Sequence, residues 1–314
     1  MSTTREVRGE PSTLPLMLKA ALPVLPGVSA IPGVRKSGDT LPQLTLTRHD
    51  VAIDREHVER YSRVCGFSLK ESLPLTYPHV LAFGLHMAIM TDPSFPFPAV
   101  GTVHIGNAIT AHRPIAASER LQVTCRPQSL RPHPKGRAFD LTTEVHSAGE
   151  LVWEETTTLL RRGRDEPDAE SGPAFADVPP SGVSWRLPAD LGRRYAAVSG
   201  DHNPIHLYRL TAKAFGFPRQ IVHGMWSKAR CLAALEGRLP DAVTVEVAFK
   251  KPVLLPGTVA LGTRRTDGGR AGRHPAGDGV RANAIASAFL ACWDFSLTSP
   301  RSGAPHLLGR ATPA

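Results

Sequence analysis

Residues 61–66, Tyr-Ser-Arg-Val-Cys-Gly, return in altered form as residues 195–200, Tyr-Ala-Ala-Val-Ser-Gly. A polar stretch precedes each copy, at 54–59 and 188–194. Downstream of each lies an apolar run that reads as a central helix: 81–90 after Tyr77-Pro78-His79, and 223–232 opening with His223-Gly224-Met225. A strand follows both. Ile105, Asn107, Ile109 and Ala111 alternate before Arg113-Pro114-Ile115, and Val243, Val245, Val247 and Phe249 alternate before Lys251-Pro252-Val253. A period of two over this length is a strand signature. The chain therefore reads as two copies of one α+β unit. Further strands are expected at 121–126, 139–146, 152–160 and 259–264, with a closing hairpin at 295–298 and 306–310.

These elements divide the chain into an extension (1–40), a first unit (41–160), a linker rich in Arg, Asp, Glu and Pro (161–184) and a second unit (185–314). Two units packed side by side would cover each other's open sheet edges. In the extension, 14–25 reads as a short amphipathic helix packed on the body, followed by a loop at 28–39. The stretch 268–279, rich in Gly, Arg and Ala, reads as a flexible insertion, and 284–293 is apolar with strand and short helix both open.

The 314 residues, 41% hydrophobic and 21% charged, suit one large or two ordinary globular domains. The apolar run 14–25 is broken by Lys19 and two prolines and is too short to cross a bilayer. Its flanks do not match a signal peptide. Cys65, Cys125, Cys231 and Cys292 form no Cys-x2-Cys pair and read as free thiols, which fits a reducing cytoplasm. A net charge of +9 suits an anionic partner. The positive residues are scattered and only 6% of the chain is aromatic, so nucleic acid is disfavoured.

The copies diverge just after the shared glycine. The first reads Gly66-Phe67-Ser68-Leu69, and the second reads Gly200-Asp201-His202-Asn203, followed by Pro204 and His206. A carboxylate and an imidazole five residues apart do not share a helical face. They suit a loop that folds back, with Gly200 allowing a sharp bend and Pro204 fixing φ. Asp201 and His206 aimed at one water would form a general acid/base pair. The Gly224 amide, at a helix start, is a natural oxyanion donor. Each residue alone has a plainer reading: Asp201 as a helix cap or turn former, His206 as a half-buried histidine with its bonds satisfied. Asp201, His202, His206 and His223 also offer metal donors, although no His-x3-His or cysteine pair supports a metal.

Together, Gly200, Asp201, Asn203, Pro204 and His206, then His223, Gly224 and Met225, resemble the signature of the MaoC-like (R)-specific enoyl-thioester hydratases and of actinobacterial double hot-dog dehydratases. The resemblance implies two antiparallel sheets, each wrapping a central helix. It also implies reversible hydration of trans-2-enoyl thioesters to (3R)-hydroxyacyl thioesters in fatty-acid metabolism. By position, Asp201 and His206 take the catalytic places, and Gly224 takes the oxyanion place between His223 and Met225. Asn203, with Tyr195, Gly200 and Pro204, would support the loop. No metal and no cofactor is implied, since the acyl group rides on coenzyme A or an acyl carrier protein. Lys250, Lys251, Arg264 and Arg265 are candidates for the carrier's phosphates, with plain solvated charge as the other reading. Many members carry a serine or similar residue six positions after the His of His-Gly-Met; here that position is Ala229, and Ser227 stands two residues early.

The first unit lacks the Asp/His pair and is expected to be catalytically silent. It would accommodate the acyl chain, or only complete a dimer-like core, as a pseudo-dimeric monomer or within a homodimer. Gly84, beside Phe83 and Leu85, is the position whose enlargement would probe an acyl tunnel. A hot-dog thioesterase and a non-catalytic acyl-thioester binding subunit stay open as alternatives.

Overall fold

The computed structural model describes residues 3–21, 38–163, 166–267 and 291–314. The expected insertion at 268–279, most of the loop at 28–39 and the start of the apolar run 284–293 lie outside the described residues.

Both copies of the repeated helix form for the same local reasons. Helix α2 (Arg55–Cys65) begins where the Asp54 carboxylate accepts from the Glu56 and His57 amides at 2.9 and 3.2 Å. It ends at Gly66 with φ of 85°. Its counterpart α4 (Leu191–Ser199) ends at Gly200 with φ of 73°. Glycine reaches this left-handed conformation without the strain of a Cβ, which makes it the natural stop signal. The central helices are α3 (Tyr77–Met90), buried on nearly all sides, and α7 (Gly224–Ala234). The extension carries α1 (Thr13–Ala21), and residues 22–25 of the expected helix lie outside the described residues.

The described strands form one eleven-stranded sheet. The first unit supplies β2 (Leu44–Ala52), β3 (Thr102–Ala111), β4 (Arg120–His133), β5 (Gly136–Ser147) and β6 (Glu150–Arg162). The second supplies β7 (Val183–Leu187), β8 (Val243–Phe249), β9 (Gly257–Asp267), β10 (Ala291–Thr298) and β11 (Pro305–Pro313). With β1 (Thr3–Glu6) on the outer edge, the order is β1-β2-β4-β5-β6-β3-β8-β11-β10-β9-β7. The two antiparallel sheets of the sequence reading are thus hydrogen-bonded edge to edge. Strand β3 runs antiparallel to β8, from Gly106 opposite Ala248 to Ala111 opposite Val243. Each unit covers the other's open edge, as an unpaired row of amides and carbonyls requires.

Three features depart from the sequence reading. Strand β1 pairs in parallel with β2, and its side chains are all exposed. Backbone bonds to β2 and surface ion pairs such as Arg5 with Asp92 at 3.2 Å hold it, so no hydrophobic alternation announced it. The last two linker residues, Val183 and Ser184, open β7, which pairs with β9. Before it, Val178 is buried and its carbonyl accepts from Ser296 Oγ, so the linker packs along the second unit. Gly84 faces the extension: a Cβ there would lie 3.0 Å from the Pro11 carbonyl oxygen. It is therefore no probe of a tunnel.

Candidate active site

The backbone after Gly200 makes a tight polar turn. The Asp201 amide donates to Ser199 Oγ at 3.2 Å, and the Asn203 amide donates to Asp201 Oδ1 at 3.1 Å. Asn203 then caps α5 (Pro204–Leu207), its Oδ1 accepting from the Ile205 amide at 3.4 Å. Pro204, at the first helical position, lacks an amide that would need a partner there. This short helix presents His206, and α6 (Arg209–Ala214) follows it. The Ile221 amide bonds back to the Ile205 carbonyl at 3.0 Å, which brings His223 alongside. The rings of His206 and His223 stack with centroids 3.7 Å apart. Donor atoms of Asp201, His206 and His223 all lie within 4.8 Å of one another. The residues singled out from the spacing are thus gathered at one place. Tyr195 is buried beside them, its ring 4.8 Å from that of His223.

Hydrogen bonds to the backbone fix both imidazole tautomers. His206 Nδ1 lies 2.8 Å from the Ile221 carbonyl oxygen, which can only accept, so Nδ1 carries the hydrogen and Nε2 keeps a lone pair. His223 Nε2 donates to the Asp201 carbonyl at 2.9 Å. Burial pushes the His206 pKa down, with the Asp201 carboxylate opposing. Burial, with His206 beside it, pushes His223 down to about 3. Both rings are therefore neutral at neutral pH. Burial would raise the Asp201 pKa, but His223, His206 and the Asn203 amide outweigh it and hold the carboxyl below its ordinary value. The site thus holds an ionised carboxylate beside a neutral imidazole whose Nε2 can accept. One nitrogen on each ring remains for a ligand, whether water or a divalent cation.

Helix α7 starts at Gly224 with no side-chain cap, leaving its first-turn amides for a ligand. Gly224 lines the same cavity as Asp201, Asn203, His206, His223 and Met225. A Cβ at Gly224 would lie 3.1 Å from the Phe249 ring, so a side chain there would crowd that ring. Ser227 also lines the cavity, its Oγ donating to the His223 carbonyl at 3.4 Å, whereas Ala229 is fully buried. Lys250 and Lys251 are exposed at the cavity wall. Arg264 lies elsewhere, paired with Asp294 at 3.0 Å.

Sequence reasoning missed several contributors. Gly192 packs against the loop: a Cβ there would lie 1.9 Å from the His206 carbonyl oxygen. The cavity, about 460 Å³, also runs into the first unit, where Phe83, His86, Met87, Met90, Leu141 and Leu159 line it. A second group of potential metal donors sits there, His79, His86 and Glu155, again within 4.8 Å of one another. Lys228, the one cation inside α7's buried face, donates from Nζ to the Asn107 side chain and to the Val245 carbonyl, the latter at 2.9 Å. Its position in an apolar run was the available signal.

Comparison with known proteins places the chain in a family. The MaoC-like domain profile matches residues 177–283, the half that carries the gathered residues. The 3-hydroxyacyl-thioester dehydratase X of Mycobacterium tuberculosis is 38% identical over 304 residues, covering 95% of this chain and 97% of that protein. The enoyl-CoA hydratase ChsH3 of the same organism is 26% identical over 181 residues, covering 51% of this chain and 59% of that protein. A crystal structure of the M. tuberculosis protein HtdX superposes with a TM-score of 0.69 at 37% identity, over 86% of this chain and 100% of that one. Near-complete coverage of both chains by one relative, together with the shared architecture, means that this chain belongs to the MaoC-like dehydratase family.

Proposed function

We propose that the chain is a lyase that adds water reversibly to trans-2-enoyl thioesters, giving (3R)-hydroxyacyl thioesters carried on coenzyme A or an acyl carrier protein. The observation that carries this reading is the convergence of Asp201, His206 and Gly224 on one cavity that continues into the first unit. The thioester oxygen accepts from the Gly224 amide at the positive end of α7, which draws electrons away from C3. Water sits between Asp201 and His206 Nε2. As its oxygen bonds to C3, the imidazole takes its proton and the double-bond electrons move onto the thioester as an enolate. The imidazolium, stabilised by the Asp201 carboxylate, then returns a proton to C2 from the same face. Dehydration is the same path reversed, and the protein ends unchanged in either direction.

In this reading the first unit does no chemistry and houses the acyl chain, with Met87, Met90 and Leu159 among its walls. Lys250 and Lys251 stand where a phosphate-bearing carrier would approach. The relative named a 3-hydroxyacyl-thioester dehydratase and the one named an enoyl-CoA hydratase support the reaction class. The test is hydration of trans-2-enoyl-CoA esters from short to long chains, followed by loss of enoyl absorbance. Turnover that rises with chain length to an optimum is expected. Absence of hydration at every length would remove the reading.

A further inference from the structure

The wall of the cavity in the first unit is not uniformly apolar. His79 and His86, two turns apart on α3, face it together with His104 of β3 and Thr157 of β6. The three imidazoles form one group: the His79 ring centroid lies 5.6 Å from that of His86 and 6.4 Å from that of His104. This polar belt lies between apolar walls. The Phe249 ring, which faces Gly224, has its centroid 4.8 Å from that of His104, and Met90, Leu141 and Leu159 also line the cavity.

A network spanning both units holds the belt in place. His79 Nδ1 donates to the Glu155 carboxylate at 2.8 Å, and Asn107 Nδ2 donates to the same carboxylate at 2.7 Å. The Asn107 carbonyl oxygen in turn accepts from Lys228 Nζ, which reaches across from α7. His86 Nε2 shares a hydrogen bond with Thr143 Oγ1 at 2.8 Å. One atom is left over. His104 Nε2 is buried and has no hydrogen-bond partner. A buried polar atom without a partner is unfavourable, and His79 Nδ1, His86 Nε2 and Asn107 Nδ2 beside it all have one.

Resting on the hydratase reading, we infer that the belt is a subsite for an uncharged oxygen substituent, a hydroxyl or ketone, on the acyl chain beyond the reacting carbons, with His104 Nε2 as its hydrogen-bond partner. A plain polymethylene chain would be served better by leucine or phenylalanine at these positions. The buried Glu155 carboxylate behind His79 disfavours an anionic group. An organic cation is disfavoured too, because the Lys228 ammonium lies in the same network. Burial keeps His104 neutral, with its pKa pushed down to about 3, as suits a neutral partner.

The test compares trans-2-enoyl-CoA esters of equal length with and without one hydroxyl, moved carbon by carbon along the chain. Wild type is compared with His104→Phe and His104→Gln. The kcat/KM ratio is measured alongside the Kd ratio of the matching saturated acyl-CoA esters. At one hydroxyl position the wild type should prefer the substituted chain by about three- to tenfold, the worth of one net hydrogen bond. His104→Phe should abolish that preference while hydrating the plain ester at near the wild-type rate, and His104→Gln should keep part of it. Melting curves establish that each variant is folded. A wild type with no preference in Kd at any position, or a preference that survives His104→Phe, overturns the subsite. Failure to hydrate either ester counts against the hydratase reading instead, and the subsite is then decided by the Kd ratio.

Discussion

Gly66 and Gly200 end equivalent helices in the same left-handed conformation, and the chain leaves them by different routes. After Gly66 the space is closed. The Arg230 guanidinium occupies the place where a Cβ on Gly66 would stand, and it stacks over Trp185 at 4.4 Å. Phe67 then stacks on Tyr61, with ring centroids 6.5 Å apart. After Gly200 the backbone is held by Ser199 and Asn203, and Asp201 stays at the edge of a cavity. The pair shows that the scaffold is neutral with respect to chemistry. One unit fills the region after the cap with a cation and an aromatic ring, and the other keeps it open and polar. On the function proposed above, the first unit's cavity wall is left to select the acyl chain.

The largest expected effect separates the two loops. Asp201→Asn and His206→Ala should each lower kcat by about 10²–10⁴ with little change in melting temperature. Ser68→Ala, in the matching loop of the first unit, should leave kcat unchanged; steady-state kinetics on a medium-length enoyl-CoA distinguishes them. Gly224→Val comes next, at about 10²–10³ in kcat, because its side chain meets Phe249 and displaces the thioester oxygen from the amide. Normal turnover by that variant would take Gly224 out of the site. The first unit's part is sharpened by Met87→Trp, which narrows the cavity wall on α3. The kcat/KM on long chains should fall about tenfold relative to a four-carbon ester. Equal loss on both lengths in a folded variant would make the unit scaffold only.

The smallest effect is a slope. Burial pushes Lys228 down to about 7 from its ordinary 10.5. Between those values the unfolded chain holds a proton that the folded chain has released, so stability should rise with pH across that window. Urea midpoints at pH 7 and pH 9 should therefore differ more in wild type than in Lys228→Met. An equal difference in both proteins would show that Lys228 does not set the slope.

The sequence made the repeat legible because glycine caps, apolar runs and strand alternation are local signals. Asp201, His206 and Gly224 could be picked out because they are close in sequence and absent from the first copy. Gly84 misled because a fully buried helix has no face that periodicity can assign, and only the fold places it against Pro11. The group formed by His79, His104, Asn107, Glu155 and Lys228 comes from four elements spread over 150 residues of chain, and no local pattern marks it. Strand β1 was hidden for the opposite reason, since it buries no side chain at all.

The central claim is that the second unit's loop adds water across a trans-2-enoyl thioester from one face. Its most direct test is hydration of a trans-2-enoyl-CoA in deuterium oxide, with the product's configuration read by NMR and free thiol assayed in parallel. The account predicts a (3R)-hydroxyacyl thioester with deuterium at C2 on the same face as the new hydroxyl, and no thiol release. A (3S) product, addition from opposite faces, or free coenzyme A with the double bond intact would contradict it.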